Sequence, residues 1–129
     1  MSEAEDLVRE VYSRWNDGER EFDEDLFDPS LTIHSALTGD MYEGVDGLQT
    51  WASEIDDQFK DWNLVIEEIE SLDDDLILVR GEIQMTGRQS EVAIEQPASW
   101  LIEFDSGRMT SLRNFIGRKA AEEFAKGGP

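Results

Sequence analysis

Three segments in the second half of the chain are rich in β-branched and large apolar residues, and turn-forming residues separate them. They span residues 76–86, 92–104 and 109–116. Such segments are typical of β-strands, and the short spacing between them favours antiparallel pairing. The pattern therefore predicts a three-stranded meander. Pro97 lies inside the middle strand and has no N–H for the ladder, which predicts a bulge or a sharp bend there.

Apolar residues at helical spacing predict two long helices before the meander and one helix after it. Their apolar stripes are Leu7, Val8, Val11, Tyr12 and Trp15 for residues 3–16; Leu48, Trp51, Ala52, Ile55 and Phe59 for a helix that begins near Gly44; and Ala121, Phe124 and Ala125 for residues 118–125. The same spacing also predicts one short amphipathic helical turn at Phe22, Leu26 and Phe27, before the first strand. Alternation of apolar and polar residues predicts strands over residues 31–35 and 61–72. Residues 36–43 are predicted to be a loop.

The last hairpin of the meander decides which side chains of its two strands face each other. We expect residues 105–107 to form a three-residue loop, with the glycine in the left-handed conformation. In that case Trp100 faces Leu112. Ala98 then faces Asn114.

A similar loop over residues 88–90 places Arg80 opposite Ala98, and Glu82 opposite Gln96. One face of the meander then carries Arg80, Glu82, Gln96 and Asn114 among Leu78, Ala98, Trp100, Ile102, Leu112 and Ile116. An apolar surface with a polar centre is typical of a small-molecule site. The other face carries Ile77, Val79, Ile83, Met85, Leu101, Met109 and Phe115. No remaining segment is available to cover that face, so we expect a homodimer through the back of the sheet.

Charge and composition narrow the classes of function. The net charge is -20, which repels phosphate backbones and anionic lipid, so neither nucleic acid nor a membrane is an expected partner. The chain has no cysteine and one histidine, His34, which excludes thiol chemistry and a multi-histidine metal site within one chain. We expect no cofactor and no metal. No apolar run has the length of a signal peptide or a membrane span, which predicts a cytoplasmic protein.

A family resemblance rests on the order of elements and on three stretches: YEGVDGLQTW before the second long helix, the turn FDSGRM, and SLRNFIGRKAAEEF at the end. Together they resemble the nuclear transport factor two-like superfamily, and most of all its SnoaL-like branch. The resemblance implies that residues 1–129 form one SnoaL-like domain. It also implies a cone-shaped α+β (cystatin-like) fold, with N-terminal helices packed on a strongly bent antiparallel sheet. The superfamily includes polyketide cyclases, ketosteroid isomerases, epoxide hydrolases and members without catalysis.

The candidate chemistry comes from a partial resemblance to limonene epoxide hydrolase. Residues 80–82, Arg-Gly-Glu, resemble its Arg-x-Asp pair, and Asn114 takes the place of its second carboxylate. The resemblance implies Glu82 as a base, Arg80 as its orienter and anion stabiliser, and Asn114 as a hydrogen-bond partner. His34 is a reserve proton carrier, because its pKa suits proton transfer near neutrality. In the ketosteroid isomerase pattern the tyrosine of the first helix falls near Val11. Because no proton donor or base of that pattern is retained, we reject that activity.

Each candidate also has a structural interpretation. Arg80 and Glu82 are either a pocket pair or a surface ion pair, and His34 is either catalytic or a half-exposed structural residue. The ligand-binding candidates are Trp15, Trp51, Ile55, Gln96, Ala98, Trp100, Leu112 and Ile116, and the aromatic ones are equally typical of a core. The leading hypothesis is a protein that holds a small apolar molecule, as a cofactor-free cyclase, isomerase or epoxide hydrolase-like enzyme acting on a polyketide- or terpenoid-like substrate. The alternative is a non-catalytic ligand-binding or protein-interaction module.

Overall fold

The computed structural model describes residues 3–36, 39–90 and 92–127. In chain order the elements are α1 (Glu3–Asn16), β1 (Phe27–Ser35), β2 (Met41–Glu43), α2 (Gly44–Gln58), β3 (Phe59–Asp73), β4 (Leu76–Gly87), β5 (Ala93–Asp105), β6 (Arg108–Ile116) and α3 (Ala120–Ala125). The predicted helices and strands are confirmed, except for the short helical turn predicted at Phe22, Leu26 and Phe27. Residues 17–26 form no helix, and β1 already begins at Phe27. The short strand β2 is an addition, because residues 36–43 were predicted to be a loop; residues 37 and 38 of that predicted loop lie outside the described residues.

The strands form one curved six-stranded sheet in the order β2-β1-β6-β5-β4-β3. Neighbouring strands are antiparallel except for β1 and β6, which run parallel. The sheet is therefore mixed, and the expectation of a wholly antiparallel sheet is wrong at this one pair. With α1 and α2 on one face, the arrangement is the α+β, nuclear transport factor two-like fold that the resemblance implied. No helix of the described residues is long and apolar enough to cross a membrane.

Bulges and a close approach of two strands give the sheet its bend. The pairing of β3 with β4 shifts between Ile66 and Glu68, and such a shift bends the strand. Gly81 of β4 lies against this point, where a Cβ atom would collide with the carbonyl oxygen of Val65. Only glycine therefore fits at residue 81, and the two strands come close enough to curve around the core.

The main core lies between the helices and one face of the sheet, which we call the inner face. Helix α1 packs on β3 and β4, and α2 packs on β1, β2 and β3. The indole nitrogen of Trp15 donates to the carbonyl of Trp62 at 3.0 Å. The amide of Asn16 both donates to and accepts from the backbone of Leu64, at 2.8 Å in each case. The end of α1 thus covers backbone groups of the edge strand β3, which also reduces its tendency to pair with another chain.

The first meander hairpin is one residue longer than predicted, and this reverses a face. The N–H of Gly87 donates to the carbonyl of Val92 at 3.4 Å, so four positions separate these two residues. Arg80 consequently pairs with Ser99, and Glu82 with Pro97. A shift of one residue moves every side chain of a strand to the other face. The predicted placement of Arg80 and Glu82 on the face of Trp100 is therefore wrong.

The second hairpin is two residues out of the predicted register, which preserves the face. Its loop is the pair Ser106 and Gly107, with φ of 55° and 81°. Next to the loop, the pairing of β5 with β6 shifts at a bulge between Glu103 and Phe104. As a result Trp100 pairs with Asn114 rather than with Leu112, and Ala98 pairs with Ile116. Because the shift is even, all of these side chains still lie on one side of the sheet. That side is the inner face.

Pro97 causes no bulge, which was one of the two effects expected, because its missing N–H lies where β6 ends. The pairing of β4 with β5 runs through Pro97 without a shift. The carbonyl of Pro97 accepts from the N–H of Gly117 at 2.9 Å. The carbonyl of Gly117 accepts the hydroxyl of Ser99 at 2.7 Å instead of the absent proline N–H. The ladder thus tolerates proline at the end of a neighbouring strand.

The opposite face, which we call the outer face, is partly covered by α3. Leu78 and Leu101 pack there with Ala121 in a second, smaller core. Ser99 accepts the N–H of Ala121 at 3.0 Å and anchors the helix. The prediction that no segment covers this face is therefore wrong. Five residues predicted to lie on this face lie instead in the main core: Ile77, Val79, Ile83, Met85 and Met109. The homodimer through this face stays a prediction.

Candidate functional site

A small cavity lies between the two long helices and the inner face of the sheet. Its volume is about 40 Å³, enough for a few water molecules. The lining residues are Val11, Tyr12, Trp15, Phe22, Phe27, Leu48, Trp51, Trp62, Leu64, Trp100, Met109, Leu112 and Asn114. Helices α1 and α2 supply one wall and strands β1, β3, β5 and β6 the other, and Phe22 comes from the connection between α1 and β1. The lining is apolar apart from a few polar tips.

Aromatic rings shape this cavity. All four tryptophans of the protein, Trp15, Trp51, Trp62 and Trp100, line it. The rings of Trp15 and Trp51 lie 5.8 Å apart. Tyr12 meets Trp100 edge to face at 5.4 Å, which is a favoured geometry for aromatic pairs. Large flat surfaces therefore surround the space from both the helices and the sheet.

Three buried polar atoms in the described part of the chain lack a hydrogen-bond partner, and all three belong to residues that line this cavity. They are the hydroxyl of Tyr12, the indole nitrogen of Trp51 and the amide oxygen of Asn114. The residues are 4%, 6% and 3% exposed, respectively. Buried polar groups are nearly always paired, and leaving one unpaired costs about 1–3 kcal/mol. The residues around the cavity thus carry a phenol hydroxyl, an indole N–H and an amide oxygen that nothing in the described chain satisfies.

The chemistry available in the cavity is hydrogen bonding rather than charge. Burial raises the pKa of the Tyr12 phenol well above its ordinary value of 10.0, so the group stays protonated at neutral pH. No aspartate, glutamate, histidine, lysine or arginine is among the described residues that line the cavity. Tyr12 can therefore donate to a ligand oxygen, but the cavity wall offers no carboxylate to act as a base.

Arg80 and Glu82 lie on the outer face and not in the cavity. Arg80 forms ion pairs with Glu68 and Glu70, each at 3.3 Å, and with Glu122 of α3. Glu82 accepts a hydrogen bond from the side chain of Gln84 at 2.9 Å. The structure thus supports the alternative that Arg80 is part of a structural ion-pair network, which ties α3 to the sheet.

His34 also points away from the cavity. Its neighbours Ile33 and Ser35 are buried on the inner side of β1, as strand alternation predicted. His34 lies in a surface cleft with Arg113, its strand partner on β6. Burial, and then the charge of Arg113, lower the pKa of His34 from 6.5. At neutral pH it is uncharged and half-buried, as expected for a structural histidine.

The structure brings together some of the predicted ligand-binding residues and leaves others apart. Trp15, Trp51, Trp100, Leu112 and the hydrogen-bonding candidate Asn114 line the cavity. Ile55 and Ala98 are buried in the same core without lining it, whereas Gln96 is half-buried and Ile116 exposed. Sequence reasoning missed Tyr12 and Trp62 as site residues.

The signal for Tyr12 was present in the sequence. Tyr12 shares the apolar stripe of α1 with Val8 and Trp15, and a tyrosine in such a stripe carries its hydroxyl into the core. The ketosteroid isomerase alignment drew attention to Val11 instead, one residue away. Trp62 had a weaker signal, because alternation along β3 was the only indication of the sheet face on which its side chain lies.

A larger cleft on the surface is a poorer candidate. It has a volume of about 500 Å³ and lies beside the first turn of α1, where Glu3 and residues 73–75 supply four carboxylates. None of the three buried unpartnered atoms lies there. Across residues 3–36, 39–90 and 92–127, no group of three or more His, Asp or Glu side chains is arranged to hold a metal ion. The expected absence of metal and cofactor stays a prediction.

Solved structures similar to this chain share its whole architecture. A nuclear transport factor two-like protein of unknown function from Burkholderia pseudomallei is 16% identical, with a TM-score of 0.81 over 97% of both chains. TerC, co-crystallised with polyporic acid, is 13% identical, with a TM-score of 0.80 over 97% of this chain and 99% of that one. IdmH from Streptomyces antibioticus, proposed to be a polyketide cyclase, is 17% identical, with a TM-score of 0.75 over 87% and 90%. At such identities the likeness shows the fold.

Sequence comparison assigns the family. No curated protein matches the chain significantly. The family model of the SnoaL-like domain, however, matches residues 8–112. This span begins within α1 and ends within β6, so it includes α2, the strands β1 to β5 and parts of α1 and β6. The chain therefore belongs to the SnoaL-like domain family.

Proposed function

We propose that this protein binds a small, uncharged, largely apolar molecule between α1, α2 and the inner face of the sheet. The observation that carries the proposal is the set of three unpartnered polar atoms on Tyr12, Trp51 and Asn114 around one cavity. A ligand oxygen would accept hydrogen bonds from Tyr12 and Trp51, and a ligand hydroxyl would donate to Asn114. Its apolar body would pack between the aromatic rings.

The uncharged wall supports a neutral ligand. A charged ligand would move from water into a cavity that offers no opposite charge. An unpaired buried charge is costly. The cavity of about 40 Å³ is far smaller than the ~300–1,000 Å³ of typical ligand sites. Binding must therefore move part of the wall outward.

The relatives support an aromatic or polyketide-like ligand class. TerC was crystallised with polyporic acid, and IdmH is proposed to be a polyketide cyclase. The aromatic lining of this chain fits flat ligands of that kind, since stacked or edge-to-face ring contacts add to the free energy of burial. Terpenoid-like ligands are the second class to test.

The test is calorimetric titration with neutral polycyclic ketones and terpenoid epoxides, and with fatty acids as the ionised comparison. We expect a hit among the ketones that weakens by about tenfold in Tyr12→Phe and in Asn114→Leu, because a lost hydrogen bond to a buried partner is worth roughly 1–1.5 kcal/mol. Tyr42→Phe is the matched control, since the Tyr42 hydroxyl is paired with Glu54 at 2.6 Å and lies outside the cavity lining. Binding that is unchanged in both cavity variants contradicts the proposal.

Catalysis at the same cavity is a second candidate, and the protonated phenol of Tyr12 favours it. A buried donor that meets a ligand carbonyl stabilises negative charge developing on that oxygen. The described lining has no carboxylate, so any proton removed in such a reaction would have to pass to a water molecule in the cavity or to a basic group of the substrate. Product formation from any bound ketone separates an enzyme from a binder. We expect Glu82→Gln to leave both binding and any turnover unchanged; a loss of turnover would restore Glu82 as the base.

A further inference from the structure

The connection between α1 and β1, residues 17–26, covers one end of the cavity without forming a helix or a strand. A second small cavity of about 30 Å³ lies beside the first. Val11, Trp15, Phe22 and Phe27 line both cavities and so form the partition between them. Of these four, only Phe22 lies outside a helix or a strand. It is therefore the part of the partition that can move without breaking an element.

Arg20 ties this connection to both long helices. Its guanidinium makes two hydrogen bonds to the carboxylate of Asp56 on α2, at 2.8 and 3.1 Å. It also donates to the carbonyl of Trp15 at 3.0 Å. The guanidinium carbon lies 3.7 Å from the centre of the Trp15 ring, in cation-π contact. A planar two-point pair of this kind fixes orientation as well as distance.

Phe22 lies two residues beyond Arg20 and contacts Phe27 edge to face at 5.6 Å. Like Trp15, Phe22 lines both cavities. Neither cavity alone approaches the volume of a ligand site. Outward movement of Phe22 would join both cavities and add the space of its own ring.

We propose that residues 17–26 are a gate: Phe22 fills the place that an apolar ring of the ligand takes in the open form, and the Arg20–Asp56 pair holds the gate closed. This inference rests on the proposed function for its ligand. The open form exists without a ligand as a minor state. The Arg20–Asp56 pair, which we call the latch, sets the population of this open form. A ligand that binds only the open form has its apparent affinity reduced by that population.

The first test needs no ligand. All four tryptophans line the cavity, so quenching of intrinsic fluorescence by acrylamide reports how often it opens. In Asp56→Asn we expect the quenching constant to rise by roughly twofold to fivefold, the range for losing a partly exposed ion pair. The matched control is Glu67→Gln, which removes one negative charge from the ion pair between Arg118 and Glu67 at 2.7 Å. The two carboxylates are equally accessible, because the side chain of Glu67 is 38% exposed and that of Asp56 is 39% exposed. Equal quenching in the two variants overturns the gate.

The second test uses fluorenone, a flat neutral ketone, in stopped-flow titrations. Asp56→Asn should speed association and tighten binding by the same factor, with the dissociation rate unchanged, because the latch acts only on the closed form. A general loosening of the fold would raise the dissociation rate instead, and that result contradicts the proposal. If fluorenone binds to neither protein while quenching still differs, the proposed function fails and the gate stands.

Phe22→Ala provides an independent variant that keeps the latch. It should raise quenching and fluorenone affinity on its own, and adding Asp56→Asn should then have little further effect, since the residue that closes the cavity is already absent. Additive effects of the two substitutions would mean that the latch and Phe22 act separately, which overturns the proposal. Circular dichroism and the thermal midpoint establish that each variant is folded.

Discussion

Tyr12, Trp51 and Asn114 each bury a polar atom that the described chain leaves unpaired. Such atoms lower the stability of the free protein, and a bound ligand would recover that free energy. Residues that serve a binding site are often suboptimal for the fold in this way. At the scale of single residues, removing one of these polar atoms and measuring the free energy of unfolding thus distinguishes the cavity from an ordinary core.

The two tyrosines of the chain allow a direct comparison. We expect Tyr12→Phe to leave the free energy of unfolding unchanged or to raise it by up to about 1 kcal/mol, because an unpaired buried hydroxyl is removed. Tyr42→Phe should lower it by roughly 0.5–1.5 kcal/mol, because the hydrogen bond to Glu54 is lost. Urea denaturation of the ligand-free protein measures both. A clear loss of stability in Tyr12→Phe would mean that its hydroxyl has a partner.

At the scale of elements, α3 is the feature whose role changed most between sequence and structure. The helix has six residues, too few to be stable without tertiary contacts. It is held on the outer face by Arg80, by Ser99 and by the packing of Ala121. The arginine proposed from sequence to orient a catalytic base instead fastens a helix.

The ion pair between α3 and the sheet gives stability a dependence on pH. The hydrogen bond from Arg80 is the main cause that lowers the pKa of Glu122 below 4.5. The stabilising contribution is therefore complete above 4.5 and is lost as the pH falls through the lowered pKa of the folded state. Glu122→Gln should be less stable than wild type near neutral pH, and the difference should shrink as the pH is lowered through and below 4.5. Urea midpoints across this range measure it, with Glu123→Gln on the same helix as control; a difference that does not change with pH would exclude the ion pair as the cause.

Ser99 carries the second attachment of α3. Its hydroxyl donates to Gly117 and accepts from Ala121, and the residue is fully buried. Ser99→Ala leaves a buried N–H and a carbonyl without this partner, so we expect a loss of about 1–3 kcal/mol in the free energy of unfolding. Ser111→Ala, at another buried serine of the sheet, is the control. Equal losses in the two variants would show that the hydroxyl of Ser99 is not an anchor.

At the scale of the whole molecule, charge is the dominant feature. A net charge of -20 on 129 residues produces repulsion that favours the unfolded chain. Ion pairs such as Arg118 with Glu67 and Glu68 offset this only locally. The stability of the protein should therefore respond to ionic strength.

We expect the thermal midpoint to rise as sodium chloride increases from about 0.01 M to 0.5 M, because the Debye length falls from about 30 Å to a few ångströms and screens the repulsion. A variant with asparagine at residues 73–75 removes three negative charges from one turn and should show a weaker rise. Differential scanning calorimetry measures both slopes. Parallel slopes would assign the effect of salt to something other than net charge.

Local patterns were enough to predict the long helices and strands and part of the candidate site, but not β2. The helical stripe of α1 and the alternation along β1 and β6 are properties of neighbouring residues, so they can be read without tertiary structure. For the same reason Trp15, Trp51 and Trp100 were assigned correctly to the interior, and Asn114 to the same face as Trp100. The family assignment also came from sequence, through the order of the elements.

Only the tertiary structure decided which face Arg80 and Glu82 occupy and which hydroxyl meets the cavity. Side chains alternate with a period of two, so one extra residue between Gly87 and Val92 was enough to exchange the faces of a strand. The length of that loop is set by a backbone hydrogen bond that any residue can make, and no side-chain pattern records it. That the polar atoms of Tyr12 and Trp51 lack a partner was likewise decided only when two helices distant in sequence packed over one sheet. The absence of a partner is a property of the assembled interior and not of any segment.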